Sequence, residues 1–417
     1  IINYDKNKFD INGNGNILLK EKSDKLSYQI SKEKDGFLFD LKLNLKNNSL
    51  LIDFLDFKKE EGLNSLISIK GNHKKNDQII FDLINLKAGK NEFLIKGLDL
   101  NKNFKIIDIE NLNINYQNDK KIFNILNLKK DNLNFILEGE SFDASKMIDN
   151  IMNSDDDNGF IFDNLNSKID IKIKNTYIDE INYINNLNGN IIFDNNKISN
   201  LKLESIFPNQ KKIKLTIETT KDAEIITKLF SAYPAPLVKR YDFIKGFDEG
   251  HLDFYSSKKD GISNSVIVID DFKIKEVPIF AKLLSLSSLQ GIADLLTGEG
   301  IRFTDFEMNF SNQKGLTTIE EMYAIGPAIS ILMDGYIESK KLVSLRGTLV
   351  PATTINRSIS SIPLLGKILI GDKTGEGVFG VSFKIKGPPN DLKTSVNPIK
   401  TLTPRFITRT LEKIKKN

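Results

Sequence analysis

Only two histidines, His73 and His251, stand among the 417 residues, and there is no cysteine. Without thiols there is no disulfide, no zinc–thiolate centre and no cysteine nucleophile. His73 lies in the run Gly71-Asn72-His73-Lys74-Lys75, and His251 follows Gly250. Neither has a serine or an acid at the spacing of a nucleophile elbow or a related signature, so both read as turn or surface residues. Asp155, Asp156 and Asp157, followed by Asn158 and Gly159, invite a calcium reading. An EF-hand loop needs an acid five residues before its glycine and a closing glutamate; those places hold Ser154 and Leu165. The run reads as an acidic, solvated loop. Gly375, Gly377 and Gly380 fit G-x-G-x-x-G. That motif binds a dinucleotide only where a helix follows, so that its N-terminus meets the pyrophosphate. Here an alternating strand pattern follows, and the glycines read as a tight turn. The expectation is a protein that is not an enzyme, with no cofactor and no metal.

The elements that would carry any other function come next. Lysine and arginine number 59 against 55 acidic residues, a formal charge of +4, without the clustered basic excess that marks a nucleic-acid partner. With 40% hydrophobic and 27% charged residues the chain can bury a core. No run approaches the 18 apolar residues of a membrane-spanning helix. The chain opens on Ile1 rather than Met, and the expectation is a segment of a longer protein. Of 45 asparagines, 37 fall in the first 200 residues, and the first proline is Pro208. The shift suggests two regions, 1–220 and 221–417.

The dominant pattern has period two. Phe37, Phe39, Leu41, Leu43 and Leu45 alternate with Leu38, Asp40, Lys42 and Asn44. Ile169, Ile171 and Ile173 alternate with Asp170 and Lys172, and Ile213, Leu215 and Ile217 with Lys214 and Thr216. Phe379, Val381, Phe383 and Ile385 alternate with Gly380, Ser382 and Lys384. Such strands carry one apolar and one polar face. Asn12–Gly13, Asp35–Gly36, Gly71–Asn72, Asn188–Gly189, Asp194–Asn195, Asp260–Gly261 and Asp334–Gly335 read as the turns between them. A meandering antiparallel sheet with one wet face follows.

Five segments break the period and predict short amphipathic helices. They are 143–151, with Asp143 as N-cap, 222–231, 278–296, 353–370 and about 404–415. The last carries Phe406, Ile407, Leu411 and Ile414 beside Arg405, Arg409, Lys413 and Lys415. They are too few to cover the sheet. Roughly 20 strands at ~4.8 Å spacing make a sheet about 90–100 Å long, and open sheets beyond ~10 strands curl, split or flatten. Either the sheet folds into a sandwich or it curls around something apolar.

Three stretches carry a resemblance. They are DDFKIKEVPIFAKLLSLSSLQGIADLLTGEGIRFTDFEMNF (Asp270 to Phe310), GPAISILMDGYIESKKLVSLRGTLVPATTIN (Gly326 to Asn356) and IPLLGKILIGDKTGEGVFGVSFKIKGPPNDLKTSVNPIKTLTPRF (Ile362 to Phe406). The order and spacing of GEGIRF, IPLLG, GVFGVSFKIKG and SVNP resemble the C-terminal region of AsmA-like envelope proteins, the long YhdP type of Gram-negative bacteria. The first 220 residues match in style, through amphipathic strands and SFDASKMI at Ser141 to Ile148. The resemblance implies a bridge-like lipid-transfer protein: a long curled antiparallel β-sheet forming an elongated apolar groove, with a few short amphipathic helices towards the C-terminus. It implies phospholipids as cargo, the inner and outer membranes as partners, and a periplasmic location with an N-terminal anchor outside this segment. Unidentified envelope proteins would be further partners. On this reading Phe37, Phe39, Leu41, Leu43, Leu45, Ile169, Ile171, Ile173, Ile213, Leu215, Ile217, Phe379, Val381, Phe383 and Ile385 line the groove. Arg405, Phe406, Arg409, Lys413, Lys415 and Lys416 would touch a membrane. The rival reading is a periplasmic scaffold or assembly factor for outer-membrane proteins that pairs an incoming strand along an exposed edge.

Overall fold

The computed structural model describes residues 2–5, 8–19, 21–75, 78–146, 148, 162–239, 245–276, 300–339, 341–351, 380–389 and 391–399. The chain is mostly strand. The strands are β1 Ile2–Asp5, β2 Lys8–Leu19, β3 Lys22–Glu33, β4 Gly36–Leu45, β5 Leu50–Ile52, β6 Phe57–Lys59, β7 Ser65–Lys74, β8 Ile79–Ala88, β9 Asn91–Leu100, β10 Ile106–Asp108, β11 Asn111–Gln117, β12 Phe123–Asp131 and β13 Asn134–Asp143. They continue as β14 Ser167–Tyr177, β15 Tyr183–Asp194, β16 Lys197–Ile206, β17 Lys212–Thr219, β18 Ile225–Ser231, β19 Lys245–Lys259, β20 Ile262–Glu276, β21 Ile301–Gln313, β22 Leu316–Ile325, β23 Ile329–Glu338, β24 Leu342–Pro351, β25 Gly380–Gly387 and β26 Lys393–Ile399. All but β5 and β6 belong to one large mixed sheet. Two compact units divide the chain: 1–210 with 216–218, and 211–215 with 219–417.

Most neighbours in sequence pair antiparallel through short turns. Asn195 and Asn196, Asp260 and Gly261, and Lys314 and Gly315 take positive φ at both central positions, the two-residue turn whose twist matches paired strands. The purely antiparallel expectation needs one correction. β13 and β14 run parallel, Leu137 opposite Ile171 and Phe135 opposite Ile169. A parallel pair needs a crossover of a dozen or more residues, and residues 144–166 separate the two strands in sequence.

Four of the expected turns lie inside strands. Gly13 is in β2, Gly71 in β7, Gly189 in β15 and Gly335 in β23. Each glycine sits where something approaches closely. A Cβ on Gly71 would lie 2.9 Å from the Phe39 ring and 2.1 Å from the Ile80 carbonyl oxygen, and one on Gly13 would lie 2.8 Å from the Tyr28 hydroxyl. Glycine inside a strand often marks such an approach or a bulge, and the register shifts at Lys70/Gly71. His73 therefore stands in β7, opposite Phe37 and Ile79, and not in a turn.

The helix expected over 222–231 is a strand. Ile225, Ile226, Leu229 and Phe230 pair with Lys258, Ser257, Phe254 and Asp253 of β19. The i, i+1, i+4, i+5 spacing suits a helix, but two β-branched residues at its head and a long neighbouring strand favour pairing. Of the helix expected over 143–151, residues 147 and 149–151 lie outside the described residues, and Ser145, Lys146 and Ile148 are helical after Asp143 ends β13. Ser145 N–H donates to Asp143 Oδ1 at 2.9 Å, and Ile148 N–H to the Ala144 carbonyl at 2.9 Å. Otherwise the helical pieces among the described residues are a 3-10 turn, Asp53–Leu55, and the short helix Ala235–Val238. The calls over 278–296, 353–370 and 404–415, and the Asp155–Asp157 loop, lie outside the described residues.

In the first unit, Asp24 at the start of β3 ties down the chain that leaves β4. Its carboxylate accepts the Lys46, Asn47 and Asn48 N–H groups at 2.8, 2.8 and 3.2 Å and the Asn48 side-chain amide at 2.8 Å. Burial pushes the Asp24 pKa up, but these four bonds outweigh it and hold the group below the usual carboxylate range. A depressed carboxyl pKa stabilises the fold above the unfolded value of about 3.9, and that contribution fades as pH falls through the folded value. Below pH 4, the melting temperature of the parent is expected to fall more steeply than that of Asp24→Asn. Parallel curves in thermal scans between pH 2.5 and 6 would contradict this.

Candidate functional site

Register, not the alternation alone, builds the candidate site. In the first unit Leu41, Ile69, Ile84, Ile95, Leu112, Leu128, Leu137, Ile171, Gly189 and Leu203 stand directly opposite one another in turn, across ten strands from β4 to β16. One residue further along the same strands the row is Lys42, Ser68, Asn85, Leu94, Asn113, Asn127, Glu138, Lys172, Asn188 and Glu204. Successive side chains point to opposite faces, so the first row is apolar, with Gly189 adding no side chain, and the row on the other face is polar but for Leu94. A second apolar row lies two residues away: Leu43, Ile67, Leu86, Phe93, Ile114, Leu126, Gly139, Ile173 and Leu187.

The second unit repeats the arrangement. Leu229, Phe254, Ile267, Met308, Met322, Met333, Gly347, Phe383 and Val396 form one row from β18 to β26. Beside it run Leu252, Ile269, Phe306, Ala324, Ile331, Leu349 and Val381. The opposite face there carries Asp334, Arg346, Lys384 and Ser395 in register. Arg346 grips Asp334 through Nε to Oδ1 at 2.8 Å and Nη2 to Oδ2 at 3.0 Å.

Cover over these faces is uneven. In the first unit the hairpin β5–β6 lies over the second row. Phe57 is fully buried with Leu86, Phe93, Ile114 and Leu126, its ring centre 4.7 Å from Phe93 and 5.6 Å from Tyr116. The Tyr116 hydroxyl donates to the Leu55 carbonyl at 2.6 Å. Burial, with Asp143 and Asp56 nearby, pushes its pKa up, so it stays a donor at any physiological pH. The row from Leu41 through Leu137 stays half-buried. An apolar sheet face is stable only when another layer lies on it. Among the described residues such pieces are the hairpin, short helical turns and the segment carrying Phe162 and Leu165, which cluster with Leu98, Ile109 and Phe135 beside Ile84, Ile95 and Leu112.

The residues expected to line a groove divide accordingly. Phe39, Leu41, Leu43 and Ile169 are half-buried on the apolar face, while Leu45, Ile171, Ile173, Val381, Phe383 and Ile385 are buried. Phe37, at the hairpin end of β4, is exposed, as is its neighbour Leu38. Ile213, Leu215 and Ile217 are half-buried, between the exposed Lys212, Lys214 and Glu218. Phe379 and the C-terminal residues Arg405, Phe406, Arg409, Lys413, Lys415 and Lys416 lie outside the described residues. The sequence reading missed Ile69, Ile84, Ile95, Leu112 and Leu128. Their strands carry weaker alternation, interrupted by Gly71 and by apolar residues such as Leu83 and Leu94 on the other face; the signal was there at Ile67–Ile69 and Ile84–Leu86.

His251 stands opposite Asp270, and His73 in the other unit. Among the described residues no three His, Asp or Glu side chains converge as a metal site. The double variant His73→Ala, His251→Ala is expected to melt within about 2 °C of the parent and to complement a deletion strain as well as the parent does. A folded variant without function would point to acid–base chemistry instead.

No family model matches the chain, and no curated protein or solved structure is detectably similar to it.

Proposed function

We propose that the two apolar sheet faces hold the acyl chains of phospholipids and conduct them passively between the inner and outer membranes, along a sheet that is not strongly curled, unlike the one the sequence predicts. The reading places the protein in the periplasm, held to the inner membrane by a segment preceding Ile1, in keeping with its AsmA-like resemblance. The observation that carries the proposal is the row Leu41–Leu203, half-buried for most of its length, backed on the opposite face by a row of lysine, serine, asparagine and glutamate broken by Leu94. Each methylene kept from water is worth about 0.8 kcal/mol, so a lipid with some 30 methylenes crosses an aqueous gap slowly unaided. An apolar row removes that barrier with no bond made or broken. Headgroups would stay at the wet margin of the sheet.

Native mass spectrometry of the protein purified from its envelope fraction tests this. The expected result is co-purified phospholipid, lost on delipidation and regained from phosphatidylethanolamine vesicles. A lipid-free protein that takes up none from vesicles, yet captures extended outer-membrane-protein strands along an edge, would replace this reading with the scaffold.

A further inference from the structure

We propose that the hairpin from Leu50 to Lys59 is a displaceable lid that competes with an acyl chain for the patch formed by Leu86, Phe93 and Ile114. The inference rests on the lipid reading above and names how access to that site is regulated.

Three features point to displacement. The hairpin pairs only with itself, Leu50 opposite Lys59 and Ile52 opposite Phe57, and shares no ladder with the main sheet. It can leave without breaking a strand pair. Its base is closed by Gly62 N–H to the Lys46 carbonyl at 2.9 Å, which leaves the segment between as a flap. Its tip is held by side chains: Lys146 Nζ lies 2.8 Å from Asp53 Oδ1 and 3.5 Å from Asp56 Oδ1, and the Tyr116 hydroxyl holds Leu55.

Opposed contributions act on the closed state. Phe57 favours closure, since its whole ring is removed from water. Lys59 opposes it. Its side chain is fully buried, with Nζ donating only to the Lys46 and Asn48 carbonyls at 3.2 and 2.6 Å. Burial pulls its pKa down more than Asp24 and Glu61 raise it, so the charged group gains by returning to water. A plain structural cap would carry an apolar residue there.

The test uses the full chain with vesicles of phosphatidylethanolamine doped with an acyl-chain diazirine analogue, and maps labelled residues by mass spectrometry. Hydrogen exchange of residues 50–59 is followed in parallel. In the parent, label is expected on Ile84, Ile95 and Leu112 and weakly on Leu86, Phe93 and Ile114. Phe57→Ala should raise the label on the covered patch about tenfold, as a shift of one decade in the open population requires. Lys59→Met should lower it and slow hairpin exchange. Hairpin amides that exchange only with the whole sheet, in the parent and in Lys59→Met, would overturn the lid whatever the lipid result. Absence of label on both patches, with hairpin exchange moving as expected, would leave the lid standing and remove the acyl chain as its competitor.

Discussion

Ile171→Asp is expected to unfold the first unit, whereas Leu41→Asp leaves it folded and abolishes lipid capture. The two residues belong to the same row and the same face, and the sequence alone treats them alike. Ile171 is 9% exposed, a buried member of the cluster that holds Phe57, and stands between Leu137 and Gly189. A carboxylate there has no partner and no water, and such substitutions cost about 4 kcal/mol or more. Leu41 is half-buried at the uncovered end of the row, between Tyr28 and Ile69. Its carboxylate would reach water, at a cost of about 1–2 kcal/mol. Against an acyl chain the same charge must be desolvated, so labelling by a photoreactive lipid should fall about tenfold or more while circular dichroism stays at the parental signal. Equal melting temperatures for the two variants would mean that the row is uniformly covered. Parental labelling in Leu41→Asp would mean that acyl chains do not use it.

Gly347→Ala is expected to destabilise the second unit by about 2–3 kcal/mol, through overpacking rather than through backbone conformation. Gly347 continues the row Met308, Met322, Met333 and faces Phe383 on the next strand. A Cβ there would lie 2.6 Å from Phe383 Cζ and 2.5 Å from the Leu332 carbonyl oxygen. The ring lies across the glycine, filling the space that a side chain would take. Phe383→Leu should therefore relieve part of the loss in the double variant, but not all of it, because the carbonyl cannot move without breaking the pairing with β23. Gly15→Ala in β2 is the control: nothing lies within 4 Å of its Cβ, and its effect should stay within about 0.5 kcal/mol. Urea unfolding of the four variants decides the point. A neutral Gly347→Ala would show that the aromatic cover over β24 is loose.

Much of the architecture is legible in the residues. Period-two alternation at Phe39–Leu43, Ile169–Ile173 and Val381–Ile385 marks strands with one apolar face, since a strand turns each successive side chain over. Asp260–Gly261 marks a hairpin turn, since few residues other than Asn, Asp and Gly tolerate positive φ there, and Asp194–Asn195 falls one residue short of the turn at Asn195–Asn196. Glycine, by contrast, was ambiguous. It permits a turn and it permits close approach, and only the neighbour that leans over Gly13 or Gly71 tells the two apart. The segment 225–231 was ambiguous for a related reason: its apolar residues fit a helical face, and the partner strand that claims them lies more than twenty residues away. Parallel pairing of β13 with β14 was likewise beyond local pattern, because strand direction depends on a crossover and not on either strand. The sequence by itself determined that these strands have an apolar side. Only the tertiary structure decided which residues stand opposite one another, that Leu41 to Leu203 form a single row, and that Phe57 covers one part of that face and leaves another half-open, because register and cover are set by contacts between segments far apart in the chain.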